Sequence, residues 1–473
     1  MKLGLVGKEF LAYRRDRRFV IVLAMLLTLM LVAGLEGGSR TRDAASNVAA
    51  AAAADREVWV EQGPNNPHGA AHFARYAFRP QPPLAAFDPG IQDFAGAAVW
   101  MEAHYQNPAS LRRAEDLAGA VPFAAVDPGW VLRVIGSLVL VALLFAAIAG
   151  EREQGTLKML LAQGFTAGQL LTAKLAAALT TVAGITGAAL LLALVPALGS
   201  SGAAFEPARV VLLIVAYAAG LATFAGLVIA VSALAAHRSA ALVTALVIWL
   251  VTVVAVPVGA AQVAASLHPT PDARSFAERI QLESQSPFWV GDAREPAVAA
   301  YESIVLQRHG ATSWEELGFD REALVLQAHE EFANEVFDRL YGALYEAHRA
   351  QEALLSRAAW LSPTLAVERI SAGLAGTDLL AQQSFLRSAE QHRRLIVEQL
   401  NRDMMEKAGS QGYAYRADRE LWESIPDHEP ALPGLGAVLA HYRQEWLALA
   451  IWLVVALALA WRLSDRSLRR ALR

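Results

Sequence analysis

The chain has 473 residues, 55% of them hydrophobic and only 18% charged, with a mean hydropathy of +0.33; that balance excludes an ordinary soluble enzyme and points to a membrane protein. The formal net charge of −4 hides a segregation in which Lys and Arg cluster beside the ends of apolar runs while carboxylates gather in two long polar regions. Cysteine is absent, which excludes disulfides, thiolate metal sites and cysteine nucleophiles.

Residues 1–18 carry Lys2, Lys8, Arg14, Arg15, Arg17 and Arg18, with Leu3, Val6, Phe10 and Leu11 spaced to cover one helical face. That spacing predicts an amphipathic helix on the cytoplasmic surface; the plainer alternative is a basic segment that only orients the first span. Residues 19–35 contain no charge and, at ~1.5 Å per residue, just cross a hydrocarbon core with the flanking arginines snorkelling, so they form span 1. Val32-Ala33-Gly34 is a weak signal-peptide cleavage match after an apolar run too long for one, and the segment is expected to be a retained anchor.

Residues 36–128 form a first polar region, with a helical piece expected around Ala44–Val60, loops at GPNNPHG and RPQPPLAAFDPG, and a second helix over Gln92–Gln106. Span 2 covers 129–149, with Trp130 at its outer edge and Arg133 expected to snorkel outward; spans 3, 4 and 5 cover 170–198, 210–234 and 240–265. The links are short: Gly199 to Pro207, and Ala235 to Ser239 with His237 and Arg238. A second polar region, 266–442, reads as mostly helical from Phe332, Val336, Leu340 and Leu344, then Leu354, Ala358 and Leu361 before Pro363. Its apolar stripes are expected to pack against the first region as one domain. Span 6 covers 446–461 and the tail 462–473.

The fold class this pattern gives is an all-α polytopic membrane protein, with six transmembrane helices and a mostly helical extracytoplasmic domain built from two insertions. Six spans put both ends on one side. Arg152, Lys158, Lys174, Arg238, Arg462, Arg466, Arg469, Arg470 and Arg473 all fall on the side of the basic N-terminus, so that side is expected to be cytoplasmic.

The span centres hold no ionisable residue, which argues against a proton or cation path inside one subunit. Ala216 with Gly220, and Ala222 with Gly226 and Ala230, suit close backbone packing within or between subunits. No G-x-x-x-x-G-K-[ST] phosphate loop occurs, and His329-Glu330-Glu331 lacks the second histidine of H-E-x-x-H. Ten of the 11 histidines lie in the polar regions. His68 and His72 stand four apart, but loop histidines near Pro and Gly are commonly surface residues and no cysteine supports a site, so no metal or catalytic site is assigned.

Between spans 2 and 3 lies GEREQGTLKMLLAQGFTAGQLLTAK, Gly150 to Lys174, a charged segment that must sit in water at a membrane face. Gly155 permits a sharp turn, Thr156 is expected to cap a short helix over Leu157–Gln163, and Gly164 to end it. Glu151-Arg152-Glu153-Gln154-Gly155-Thr156-Leu157, then Leu160-Leu161 and Lys174, resemble the E-R-E-x-G-T-L-x-x-L-L…K segment of type-2 ABC exporter permeases. The motifs N-P-H-x-A-A-H-F-x-R-Y-A-F at Asn66–Phe78 and L-S-P…A-x-x-R-I-S…L-A-G-T-D at Leu361–Asp378 are similar to a bacterial branch of that family. Permeases linked to nitrous-oxide-reductase maturation and to gliding machinery share its layout.

The resemblance implies a coupling helix that docks on a separate ATPase subunit, with Glu151, Arg152, Glu153, Gly155, Thr156, Leu157, Leu160, Leu161 and Lys174 as coupling residues. It further implies a homodimer or paired permease heterodimer in the bacterial inner membrane. ATP and Mg would then sit on the partner, with no cofactor, catalytic residue or nucleic acid on this chain, which would export a substrate or pass force to its outer domain. The alternative is an ATPase-independent receptor or assembly scaffold.

Overall fold

The computed structural model describes residues 2–15, 17–73, 75–116, 126–195, 206–288, 294–430 and 432–470. The expected end of span 3 at Leu198, the link beginning at Gly199 and Arg473 of the tail lie outside the described residues. Among the described residues six helices are long and apolar enough to cross a membrane: Phe19–Val60, Pro128–Glu153, Ala167–Leu192, Pro207–Leu234, Arg238–Leu267 and Arg443–Ser467. A helix closes most of its backbone hydrogen bonds within the segment, as lipid requires. The protein is an all-α polytopic membrane protein with a two-stranded ribbon in its polar domain.

Span 4 is the hub, with 67% of its apolar window buried against 22% for spans 1 and 5. It packs most extensively on span 6, and a Cβ added at Gly226 would lie 3.0 Å from the Ala456 backbone. That part of the small-residue stripe therefore serves packing inside the subunit. Spans 1 and 5 leave Ile21, Met25, Val243 and Leu250 exposed, faces suited to lipid or to a second subunit.

Three expectations need correction. The span 1 helix does not stop at Leu35: one 44-residue helix runs Arg17–Val60 and absorbs the expected Ala44–Val60 piece. The connecting stretch has no proline, and the Ala49–Ala54 run has the highest helix propensity available. The expected helix over Gln92–Gln106 is instead turns and a strand, β2 (Ala98–Met101), paired antiparallel with β1 (Arg75–Phe78). A strand partner overrides weak helical periodicity there, because Val99 and Trp100 suit a pleated, half-buried surface. Arg133 does not snorkel outward but turns inward to Asp88, with Nη1 3.0 Å from Oδ2.

The two polar regions do form one domain. Trp59, Ala70 and Met101 from the first share a core with Phe385, Ile396, Leu400 and Trp422 from the second. The Trp59 indole donates to the Trp422 carbonyl at 2.9 Å, and the Trp422 indole to that of Gly63 at 2.9 Å.

Between this domain and the spans lies a joint helix, Pro363–Ala375, buried along most of its length. Ser362 caps it, accepting from Leu365 N at 3.0 Å while its hydroxyl donates to the Thr252 carbonyl of span 5. Arg369 joins Glu445 at the start of span 6 (2.8 Å) to Glu352 of the helix Arg321–Ala358 (2.9 and 3.2 Å). At the other end the Arg209 guanidinium of span 4 donates to the carbonyls of Gly373 and Leu374 at 3.4 and 3.3 Å, a cation at a helix C-terminus. Most of the Leu361–Asp378 motif residues therefore serve this joint.

Gly373 is where the joint meets Tyr442, and a Cβ there would lie 2.1 Å from the buried ring. Gly373→Ala is expected to cost about 1–3 kcal/mol by overpacking, read as a lowered melting temperature in detergent. The joint also predicts a pH dependence. Burial alone would raise the Glu352 carboxyl, but His441, 3.9 Å away, and the Arg369 fork pull it down to about 2. A carboxyl depressed on folding adds stability above its unfolded value, here 4.5, and that contribution is lost as pH falls from there toward about 2. Thermal melts should weaken through that window, and Glu352→Gln should flatten the dependence.

Candidate functional site

The segment Gly150–Lys174 folds as two short helices joined by a turn. Span 2 breaks at Phe145–Ile148, where the hydroxyl of Ser232 in span 4 accepts from Ile148 N (3.0 Å) and Ala149 N (3.1 Å). A short helix Ala149–Glu153 follows, and Gly155 at φ +75° reverses the chain into the inter-span helix Thr156–Ala162. A left-handed φ suits glycine, so the expected turn at Gly155 is present. Thr156 is not the cap: it is the first helical residue, and its hydroxyl donates back to the Glu151 carbonyl at 3.2 Å. Gly164 follows with φ +86°, and a Thr166–Gln169 capping box opens the span 3 helix Ala167–Leu194.

Most of the nine residues singled out in the sequence turn inward. Glu151 Oε1 lies 2.8 Å from Lys8 Nζ and 3.0 Å from Lys174 Nζ. Lys174 in turn lies 3.4 Å from Glu9 Oε1. Two lysines and two glutamates thus neutralise one another in a largely buried cluster that ties the N-terminal helix Lys2–Arg15 to both ends of the segment. Arg152 donates to the Ala233 carbonyl at 2.7 Å and also bonds the Ala235 carbonyl and the Ser467 hydroxyl, clamping the end of span 4 against span 6. Leu157 and Leu161 are buried in an apolar cluster with Leu5, Leu170 and Leu171, and Leu160 packs against it. Glu153 is the exception among the charged residues: it is exposed, and accepts from the Arg238 backbone at 3.2 Å.

What remains outward is a ridge of Gln154, Gly155, Lys158, Met159, Ala162 and Gln163, with Met159 60% exposed. Beside it opens a cleft of about 450 Å³ lined by Arg152, Lys158 and Arg466 with Ala233, Leu234, Leu463 and Ser467. A rigid ridge with an exposed thioether and a basic cleft beside it can accept an apolar knob and a carboxylate from another chain.

The sequence reading missed Leu5, Lys8, Glu9, Ser232 and Ser467. Leu5, Lys8 and Glu9 follow the i, i+3, i+4 spacing of one helical face, a signal present in the sequence but masked by the surrounding basic residues. Ser232 and Ser467 carry no such signal, since a lone serine in an apolar helix shows no partner.

The Arg133–Asp88 pair completes the path toward the polar domain. The Tyr217 hydroxyl of span 4 lies 3.1 Å from Arg133 Nη1 and 3.0 Å from Ser371 Oγ in the joint helix, and the Ser371 hydroxyl donates to Asp88. Span 2 leaves the regular α-helix at Val131–Gly136, a π-type turn that carries Arg133, and span 5 does so at Val251–Ala255, where the Thr252 carbonyl receives the Ser362 hydroxyl.

A family model described as a domain of unknown function (DUF3526) matches residues 276–431, less than half of the chain. The match takes in the long helices of the polar domain, the joint helix and the Leu361–Asp378 motif. No curated protein matches the chain.

Proposed function

We propose that this chain is the membrane subunit of an ATP-driven exporter of the type-2 ABC kind. A separate ATP-hydrolysing subunit would dock on the ridge Gln154–Gln163 from the cytoplasm. The carrying observation is the division of labour in that segment: its charged and apolar motif residues anchor it to the N-terminal helix and to spans 3, 4 and 6, while Met159 and Lys158 are exposed. A short helix held so firmly moves as a unit with spans 2 and 3. The network from Arg133 through Tyr217, Ser371 and Asp88 offers that motion a route into the joint helix and the polar domain. In this reading the polar domain lies outside the cytoplasm and two permease subunits meet through faces such as those left open on spans 1 and 5.

Replacing Glu151 would break the charge cluster that holds the segment, so loss of function there would report on folding. Replacing the outward pair Lys158 and Met159 isolates docking. The reading predicts that a neighbouring ATPase co-purifies with the native chain and is lost with the ridge variant; retention by the variant would overturn it. The scaffold alternative draws on a different feature, the cleft of about 710 Å³ in the polar domain lined by Tyr105, Phe276, Ile280, Tyr341 and His348 among others. It predicts partner capture by that domain without ATP.

A further inference from the structure

The polar domain gathers histidines far apart in sequence. His68 and His72 lie one turn apart on the helix Pro67–Phe73, with their Nε2 atoms 3.1 Å apart. His104, in the loop after β2, brings its ring centroid within 5.3 Å of His68 and 4.6 Å of His72. The ligand-capable atoms of these three side chains all lie within 4.8 Å of one another. His104 Nδ1 is 2.5 Å from Glu330 Oε1, and His329, on the same helix as Glu330, stands 5.3 Å ring to ring from His104.

We infer that His68, His72 and His104 form a binding site for a late first-row divalent transition-metal ion such as Zn²⁺, with Glu330 orienting His104 as a positioning residue. Two imidazole nitrogens on one tetrahedral Zn²⁺, at Zn–N distances of about 2.0–2.1 Å, stand about 3.3 Å apart, close to the His68–His72 separation. An imidazole that donates Nδ1–H to a carboxylate carries its lone pair on Nε2, the arrangement metal-ligating histidines ordinarily show. The ligands are all nitrogen, which suits Zn²⁺, Cu²⁺ or Ni²⁺ over Ca²⁺ or Mg²⁺. Three protein ligands leave a coordination position open, as in sites that exchange a small ligand or hand on the ion. His72 is exposed while His68 is buried, so the cluster reaches the surface.

Acidic groups stand beside the cluster: Glu330 contacts His104, while Arg393 pairs with Glu390 at 2.8 Å, lies 3.8 Å from Glu330 and donates to the Glu102 and Ala103 carbonyls next to His104. The residues come from both insertions of the polar domain, so a bound ion would tie His68, His72 and His104 of the first to Glu330 of the second. This also gives the Asn66–Phe78 motif a role beyond packing: Asn66 caps the histidine-bearing helix, accepting from Gly69 N at 3.1 Å and donating to the Tyr413 and Tyr415 carbonyls at 3.3 Å each.

The test uses the full chain in detergent, stripped with chelator and titrated with Co²⁺ as a spectroscopic substitute and Zn²⁺ as competitor. One Co²⁺ per chain with nitrogen-ligand bands, displaced by Zn²⁺, is expected. His72→Ala and His72→Gln, at the exposed ring, should abolish it; Glu330→Gln should weaken affinity roughly 10–100-fold. His309→Ala, at an exposed histidine in another part of the domain, should leave it unchanged. Zn²⁺ should also raise the melting temperature of the native chain but not that of the His72 variants. Absence of Co²⁺ bands in the native chain, or equal binding by folded His72 variants, would overturn the assignment.

Discussion

Replacing Arg133 by alanine is expected to destabilise the protein by about 3–5 kcal/mol and to disconnect the spans from the polar domain. The Arg133 side chain is only 8% exposed and its partner Asp88 only 5%, so the variant would leave a carboxylate buried without its main compensating charge. Arg133 also holds the Tyr217 hydroxyl, which touches the joint helix through Ser371. Asp88→Asn in the Arg133→Ala background removes both charges and should recover much of the lost stability, because the cost lies in the unpaired charge rather than in the missing attraction. Melting temperatures of the two single variants and the double variant in detergent read the cycle. Equal losses that simply add would show that the two side chains do not act as a pair.

The second large effect belongs to the outward ridge. Lys158→Glu with Met159→Asp places two carboxylates on the proposed docking surface without touching the buried leucines or the Lys8–Glu151–Lys174–Glu9 cluster. Apolar anchors at the centre of an interface typically contribute 2 kcal/mol or more, about a 30-fold loss in affinity, and two reversed or introduced charges add to that. The melting temperature should stay within about 1 kcal/mol equivalent of the native chain, as surface substitutions do. Stimulation of ATP turnover in the reconstituted pair should vanish. Lost stimulation together with lost stability would instead mark the ridge as part of the fold.

The parts of the fold legible in the sequence were those written as long apolar runs. Each of the six spans is a stretch whose composition alone forces a helix in lipid, and the Gly155 turn is dictated by a residue that tolerates positive φ. The ends of elements were less legible. The first helix continues past Leu35 because polar residues such as Ser39, Arg40 and Asp43 are compatible with a helix once it leaves lipid, and nothing in the hydropathy marks that exit. The ribbon formed by β1 and β2 was hidden because strand pairing depends on a partner 20 or so residues away rather than on local periodicity.

In the candidate site, residue choice was legible but orientation was not. Glu151, Arg152, Leu157, Leu161 and Lys174 matched a motif, yet the motif does not say which members face the fold and which face water. The packing of Leu5, the charges of Lys8 and Glu9, and the Ala233 carbonyl and Ser467 hydroxyl that hold Arg152 decide that. His104 and Glu330 stood equally outside any readable spacing, separated by 226 residues and joined only when the two insertions fold together.

The chain contains no cysteine, so single cysteines can report on contact without a background. A cysteine at Met159, with another at the comparably exposed Phe73 of the polar domain as control, can be cross-linked in membranes containing the candidate ATPase subunit. Docking on the ridge predicts an adduct between the Met159→Cys chain and the ATPase that changes with bound nucleotide, and none from Phe73→Cys. No adduct at Met159, or equal adducts at both positions, would contradict it.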